Sequence, residues 1–536
     1  MTGNDDKLRG GYYTPINVAK FLCDWAITSP KATVLEPSCG DGAISSCAVK
    51  RLQALGASSN EACNQVTGVE LYRKEASKAA SRGGTIITGD FFGLCKEDDA
   101  LSGPFDVVVG NPPFIRYQDF SEEYREVAFE LMRSYGFNPN RLTNIWLPFL
   151  VVCCHLLAEN GRLAMVIPAE LFQVKYAAET RSFLMQRFER ITVITFKKLI
   201  FEGIQQEVIL LLAERTSNEK GVIRVIETED AEALRSLTQK SLEEEPAKRK
   251  LPGSMKWQGY FLSENALDLL QDIKKLPSVS QASDLFDVNV GLVSGQNSFF
   301  LQSNDKAHAR RIEQSCIGII SRSFQLDGLS LTGKDFNRQL ELQRNVLLFL
   351  PDENDLTPAD TKYIKQGEEA GVDQNYKCRV RKPWWRVPTS WKPDAFFYRQ
   401  VGSYPRIVLN EADVHTTDTL HKVRFAENVD GRSVAVSFNN SYTFLCSELM
   451  GRSYGGGVLT FEPSEARDLP IPFKASIKWD FEKADRLARA GEVERLLDYV
   501  DAKLLVEGLG LSESDVKTLR QAWHALKDIR LSRKVG

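Results

Sequence analysis

No uncharged apolar run in the chain approaches the roughly 18 residues a helix needs to cross a bilayer, which argues against a helical membrane protein. The opening stretch, Met1 to Gly10, is polar and charged, unlike the apolar core of a signal peptide. Neither sign of charge dominates. Lys and Arg total 68 against 71 Asp and Glu, a formal net charge of −3 over 536 residues, so the whole-chain balance does not point to nucleic acid. The ten cysteines form no C-x-x-C pair, and the five histidines are scattered without metal-ligand spacing. No zinc site is expected, and reduced core thiols fit a cytoplasmic protein. With 43% apolar and 10% aromatic residues, a disordered or fibrous chain is excluded. At about 150 residues per domain, the length predicts two to four domains.

From about Lys31 to Ala213, short β-rich runs alternate with helical stretches. The runs are Thr33–Leu35, Val66–Val69, Thr85–Thr88, Phe105–Val109, Leu163–Ile167, Ile191–Thr195 and Val208–Leu212. They are nearly continuous in apolar residues, as strands buried on both faces should be, and the alternation predicts an α/β fold with a mainly parallel sheet. The charged stretch from Leu242 to Ser254 contains Pro and Gly and reads as a linker. It separates a first domain, 1–245, from a second, 255–475, in which β-rich pieces, turns and aromatics mix without a repeat. Residues 476–536 carry helical spacing at Leu496, Leu497, Val500, Leu504 and Leu505 and again at Leu519, Trp523, Leu526 and Leu531, the latter after a capping-box-like Ser512-Glu513-Ser514-Asp515. Two terminal helices packed on the second domain are expected.

The first strand runs into Glu36-Pro37-Ser38-Cys39-Gly40-Asp41-Gly42 and then a helical stretch. A Gly-x-Gly turn at a helix N-terminus lets a ligand approach the backbone. The second strand ends at Glu70-Leu71, where an acid can take ribose hydroxyls, and the third at Asp90-Phe91, offering an acid for an amino group and a ring for stacking. Three acids at successive strand ends lie in the crevice where open α/β sheets bind ligands. Ser45 stands where the last Gly or Ala of a dinucleotide fingerprint should be. Glu36 and Asp41 would repel a pyrophosphate and attract the sulfonium and amino groups of S-adenosylmethionine, so the acids favour that cofactor.

The fourth strand ends in Asn111-Pro112-Pro113-Phe114. This tetrapeptide resembles the catalytic motif of amino-methyltransferases that act on a planar amino nitrogen, above all the N6-adenine DNA methyltransferases. Such an amine is a poor nucleophile because its lone pair is delocalised. The Asn111 side-chain oxygen and the Pro112 carbonyl can accept its N–H bonds, Pro113 stiffens the loop, and Phe114 can stack on the base. A base within a duplex must be flipped out to reach such a pocket, and Phe201 matches the family's second stacking position.

Upstream, Gly10-Gly11-Tyr12-Tyr13-Thr14-Pro15 resembles the motif that precedes the cofactor loop in the gamma group of these enzymes. Asn111 and Pro112 join Tyr13, Thr14 and Pro15 as cofactor contacts on that resemblance. Asn144-Ile145-Trp146 and the run from Gly161 to Pro168 match as well, so residues 10 to about 215 are covered. The resemblance implies a class I methyltransferase-like mixed seven-stranded sheet with flanking helices, followed by an α+β target-recognition domain ending in helices. It further implies a monomer reading an asymmetric site in double-stranded DNA, with a cognate restriction endonuclease acting separately. Segments Val288–Asn297, Tyr404–Val408 and Leu445–Glu448 are similar to recognition regions of the family.

Between Lys377 and Asn410, eight basic side chains face one acid, a net +7, interleaved with aromatics including Trp384 and Trp385. Lys377, Arg379, Arg381, Lys382, Arg386, Arg399 and Arg406 can neutralise phosphates or read guanine edges. Cytosine-N4 methylation remains open as an alternative. Methylation of RNA or of a protein glutamine is a further one, the latter disfavoured by about 290 residues after the catalytic domain. A fused nuclease is not expected, since only nine residues precede Gly10.

Overall fold

The computed structural model describes residues 13–96, 101, 103–115, 117–201, 207–215, 221–251, 255–389, 391–454 and 457–532. Gly10, Gly11 and Tyr12 of the upstream motif lie outside them. The chain divides into two units, one ending at Phe261 and the other running from Leu262 to Leu531.

In the first unit, strands β1 (Val34–Glu36), β2 (Val66–Glu70), β3 (Thr85–Thr88), β4 (Phe105–Gly110), β5 (Leu157–Pro168), β6 (Arg190–Phe196), β7 (Val208–Glu214) and β8 (Val222–Thr228) form one sheet, in the order β3-β2-β1-β4-β5-β7-β6-β8. The first five in that order are parallel neighbours, and β7 runs antiparallel to both β5 and β6. The sheet therefore has eight strands, not seven. The addition, β8, is parallel to β6 over seven residue pairs and buries only alternate side chains such as Ile223 and Val225, a half-buried edge pattern that reads less clearly than an apolar run.

Helices flank the sheet: α1 (Ile16–Ala26), α2 (Ala43–Ala54), α3 (Arg73–Arg82), α4 (Glu122–Ser134) and α5 (Trp146–Leu156). Helix α1 buries Val18, Phe21, Leu22 and Trp25, one helical face. Helix α5 is apolar on every side and nearly all of it is buried. The sequence directions split at β1, with β2 on one side and β4 on the other, so the loops leaving these strands open a crevice.

The charged stretch after Leu242 is not a free connector. Lys248 N donates to Ile223 O at 2.8 Å beside β8, and Leu251 N donates to the Tyr260 hydroxyl at 3.3 Å. These bonds keep the stretch on the first unit, and the division falls at Phe261, after the predicted boundary.

The second unit holds a five-stranded sheet of β9 (Phe286–Val290), β10 (Ser330–Leu331), β11 (Ala395–Tyr398), β12 (Ile407–Asn410) and β13 (Leu420–Phe425), in the order β9-β13-β11-β12-β10. A four-stranded sheet joins Leu301–Gln302, Leu347–Phe349, Cys316–Ile320 and His415–Thr416. Helix α6 (Ser441–Met450) is buried over nearly its whole length. The tail forms three helices where two were expected: α7 (Phe481–Arg489), α8 (Val493–Asp501) and α9 (Glu513–Ser532). The Trp523 ring of α9 lies 5.1 Å from the Phe444 ring of α6. Among the described residues no helix is long and apolar enough to cross a membrane.

Candidate active site and basic surface

The turn after β1 is built by glycine. Gly40 and Gly42 have φ of +53° and +84°, a region that side chains with a Cβ avoid. A Cβ on Gly42 would also sit 2.7 Å from Ala79 Cα on α3, so the turn and that helix can approach only with glycine there. Glu70 fastens the neighbouring loops. Its carboxylate accepts Gly40 N and Tyr72 N, each at 2.9 Å, and each oxygen keeps further acceptor capacity. Asp90 accepts Gly93 N at 2.7 Å and so caps the turn after β3.

Glu36 is the most deeply buried of these acids, with Ser45 Oγ donating to it. Desolvation pushes its pKa up to about 8, Asp41 and Glu70 add to the rise, and the Ser45 bonds oppose it. Burial likewise raises the pKa of Glu70 and of Asp90 from its ordinary value, against backbone hydrogen bonds that lower it.

Three elements hold the loop after β4. Asn111 Nδ2 donates to Thr14 Oγ1 at 3.2 Å, Ser38 Oγ donates to Asn111 O at 3.3 Å, and Ile145 N donates to Ile115 O at 3.2 Å. The residue before Asn111 must be small as well, since a Cβ on Gly110 would lie 3.0 Å from Pro37 Cδ. The predicted cofactor loop and the predicted catalytic loop are thus in direct contact.

They share a cavity of about 310 Å³. Of the residues expected to contact a cofactor, Tyr13, Thr14, Glu36, Pro37, Ser38, Cys39, Gly40, Asp41, Glu70, Leu71, Asp90, Phe91 and Asn111 line it, as does Pro113. Pro15, Gly42 and Pro112 do not. Pro15 and Gly42 instead stand at the N-termini of α1 and α2.

The sequence did not reveal a further part of the lining, formed by Asp119, Phe120, Ser121 and Tyr124. Arg125 holds this part by donating to Tyr117 O at 3.1 Å and Phe120 O at 3.2 Å, with its guanidinium 4.2 Å from the Tyr117 ring centre. Glu75 was also missed. It lines the cavity from α3 and accepts the Tyr13 hydroxyl at 3.1 Å; only its place in the first turn of the helix that follows Glu70 could have signalled it.

Phe114 is half-buried against the hydrophobic core that contains Phe201. Phe201 itself is 6% exposed, packed in that core and not among the cavity-lining residues. The structure therefore places it as a core ring, contrary to the expectation of an open stacking position. Residues 202–206, which follow it, lie outside the described residues.

The basic window in the second unit divides in two. Arg381 donates to Ser294 O at 2.7 Å and Val293 O at 2.5 Å; Arg386 pairs with Glu353 at 3.1 Å and Arg399 with Glu462 at 2.9 Å. Arg406 donates to Leu326 O and Asp327 O at 3.2 and 2.7 Å. Trp384 donates to Glu368, Trp385 is buried, and Phe396, Phe397 and Tyr398 form the core strand β11. Apart from the exposed Arg386–Glu353 pair, these residues are engaged within the fold, although Arg381, Trp384, Trp385, Arg399 and Arg406 were expected to contact DNA. Lys377, Arg379 and Lys382 are exposed, and none of the three is in an ion pair among the described residues.

Two family models match the chain, the Eco57I restriction-modification methylase over residues 58–201 and the Type II methyltransferase M.Eco57I, C-terminal domain, over residues 254–505. The chain is 22% identical over 475 residues to the Type II methyltransferase M.AccI of Acinetobacter calcoaceticus, covering 85% of this chain and 83% of that one. It is also 22% identical over 483 residues to the Type II methyltransferase M.XamI of Xanthomonas campestris pv. amaranthicola, covering 86% and 85%. Among solved structures, the Type IIL restriction-modification enzyme MmeI in complex with DNA superposes with a TM-score of 0.55 at 14% identity, over 97% of this chain and 73% of that one. That last match is one of fold.

Proposed function

Because the chain belongs to the Eco57I-type restriction-modification methylases in both halves, and is thereby an S-adenosylmethionine-dependent DNA methyltransferase, we propose that the group it methylates is N6 of adenine. The observation that carries this reading is Asn111-Pro112-Pro113-Phe114 directly after β4, with Asn111 and Pro113 lining the cavity that Glu36, Glu70 and Asp90 also line. The cavity suits the cofactor, since buried acids favour a cationic ligand and the glycine turn leaves backbone accessible. When bound, S-adenosylmethionine supplies an electrophilic methyl group on its sulfonium.

The protein's part is to make the amine nucleophilic. One Nδ2 hydrogen of Asn111 bonds Thr14 Oγ1, which orients the amide, and the acceptor we assign to the amine is the amide oxygen. Together with the Pro112 carbonyl, that oxygen would draw the two N–H bonds of an exocyclic amine out of conjugation and localise its lone pair. A duplex base reaches this loop only when flipped, and Phe114 is the ring beside it. The Asn-first motif and the order Thr14-Pro15, cofactor turn, Asn111 resemble the adenine enzymes of the gamma group. A monomer acting beside a separate endonuclease completes the reading.

Mixed-sequence duplex DNA incubated with the protein and tritiated S-adenosylmethionine, then digested to nucleosides, should carry its label in N6-methyladenine. Label in N4-methylcytosine would reject the assignment of the base.

Glu36 supplies a separate prediction. A carboxyl kept protonated by burial must release its proton to face a cation, so cofactor affinity should rise with pH and level off above about 8. The unliganded fold has the reverse linkage: between the ordinary value of 4.5 and about 8 it retains a proton that the unfolded chain gives up, and stability falls as pH rises through that window. Calorimetric titration of wild type and Glu36→Gln in buffers of different ionisation heat should show excess proton release for the wild type alone. Equal release by both would disprove it.

A further inference from the structure

Resting on the DNA-methylating reading above, we infer that the groove-contacting surface of the second unit is the patch formed where residues 290–296 meet residues 375–382. The two segments are joined at several points. Arg381 spans both by holding the Val293 and Ser294 carbonyls, and Asn375 Nδ2 donates to Gln296 Oε1. Gly295, at φ +93°, allows the close approach, since a Cβ there would lie 2.8 Å from Cys378 Sγ and 3.3 Å from Lys377 Cβ. Beneath, Leu292 is buried and exchanges backbone bonds with Thr416 O at 2.8 Å and Asp418 N at 3.0 Å. The surface is therefore rigid before any partner arrives, which limits the ordering entropy of binding.

What it presents is unusual for a surface held so firmly. Tyr376 and Val380 are 66% and 62% exposed and Val293 is 37% exposed, while Lys377, Arg379 and Lys382 stand among them. The nearby acids Glu368 and Asp373 accept hydrogen bonds from Trp384 and Gln374. Cations beside exposed apolar groups fit duplex DNA: the cations meet phosphates, and the valines and the tyrosine ring meet base edges and thymine methyls. Arg381, Arg399 and Arg406 of the same window cannot do this without giving up bonds within the fold, and Arg386 is already paired with Glu353 at the surface. Charge count alone would rank them equally with Lys377, Arg379 and Lys382.

The test uses the full-length protein with each of these cations replaced in one variant, Lys377→Gln/Arg379→Gln/Lys382→Gln. Its KM for DNA should rise roughly tenfold or more at moderate salt, and the slope of log affinity against log salt should become shallower by about 0.9 for every phosphate that the protein no longer neutralises. The affinity for S-adenosylmethionine and the thermal melt should match wild type. Tyr376→Ala and Val293→Ser should relax the methylated motif at one or two positions in long-read maps of modified DNA. A wild type that labels no DNA fails the parent reading. A wild type that labels DNA, with variants of unchanged KM and unchanged motif, overturns this surface and leaves that reading intact.

Discussion

Asn111→Ala should lower kcat for DNA methylation by about 10²–10³-fold or more, the loss seen when one preorganised polar group facing a developing charge is removed. The affinity for S-adenosylmethionine should change little, since the cavity wall is carried mainly by the turn after β1 and by Glu70 and Asp90. The distinction follows from how the loop is held. Ser38 and Ile145 bind backbone atoms of Asn111 and Ile115, so truncating the Asn111 side chain leaves these loop contacts in place while it removes the acceptor and the bond to Thr14. Asn111→Asp keeps an acceptor but loses the donor that Thr14 receives, and should recover part of the activity at most. Single-turnover methylation with saturating DNA, alongside cofactor titration, separates the outcomes. A variant with near wild-type single-turnover rates would remove Asn111 from the chemistry, and one that lost cofactor binding too would mark a collapsed loop.

Arg530→Ala should destabilise the second unit by about 3–5 kcal/mol, the penalty for leaving one partner of a buried ion pair alone. Arg530 and Glu448 are each 3% exposed and meet twice, Nε to Oε2 at 2.8 Å and Nη2 to Oε1 at 2.6 Å. Nη1 also donates to Gly402 O at 2.8 Å and Gly457 O at 2.5 Å. The guanidinium thus ties α9 to α6 and to two loops, and its removal orphans a carboxylate and two carbonyls together. Burial already raises the Glu448 pKa against the pull of Arg530, so in the variant Glu448 takes up a proton, which sets a ceiling on the loss. Arg530→Met with Glu448→Leu should recover much of the stability. Urea unfolding of the full-length variants checks this. The informative result is early loss of DNA methylation with cofactor binding retained, and equal stability of single variant and wild type would disprove the role of the pair.

Glu448 lies in a segment that resembles recognition regions of the family, yet its partner stands 82 residues away. No local pattern announces such a pairing. The same holds for the basic window, where +7 over a short stretch made each basic residue named there a candidate for DNA contact. Arg399 finds Glu462, Arg406 finds carbonyls near residue 327, and Arg381 finds those near residue 294. Counting charge along the chain cannot separate these braces from Lys377, Arg379 and Lys382, because the partners arrive from other elements. Phe201 illustrates the same limit for rings: motif position suggested a stacking face, and packing put it in the core.

Neighbouring residues are enough to specify the strand alternation, the glycine turn, the three strand-end acids and the catalytic tetrapeptide. Each is written locally, through short and nearly continuous apolar runs, a backbone that favours glycine, or a short motif at a strand end. Folding is what brings Asn111 to Thr14, which lies 97 residues before it, and buries Glu36 deeply enough to hold a proton near neutral pH. Folding also selects which cations of the second unit remain open to a partner. These properties depend on desolvation and on the meeting of distant segments, and both come into being only when the chain has closed around its cores.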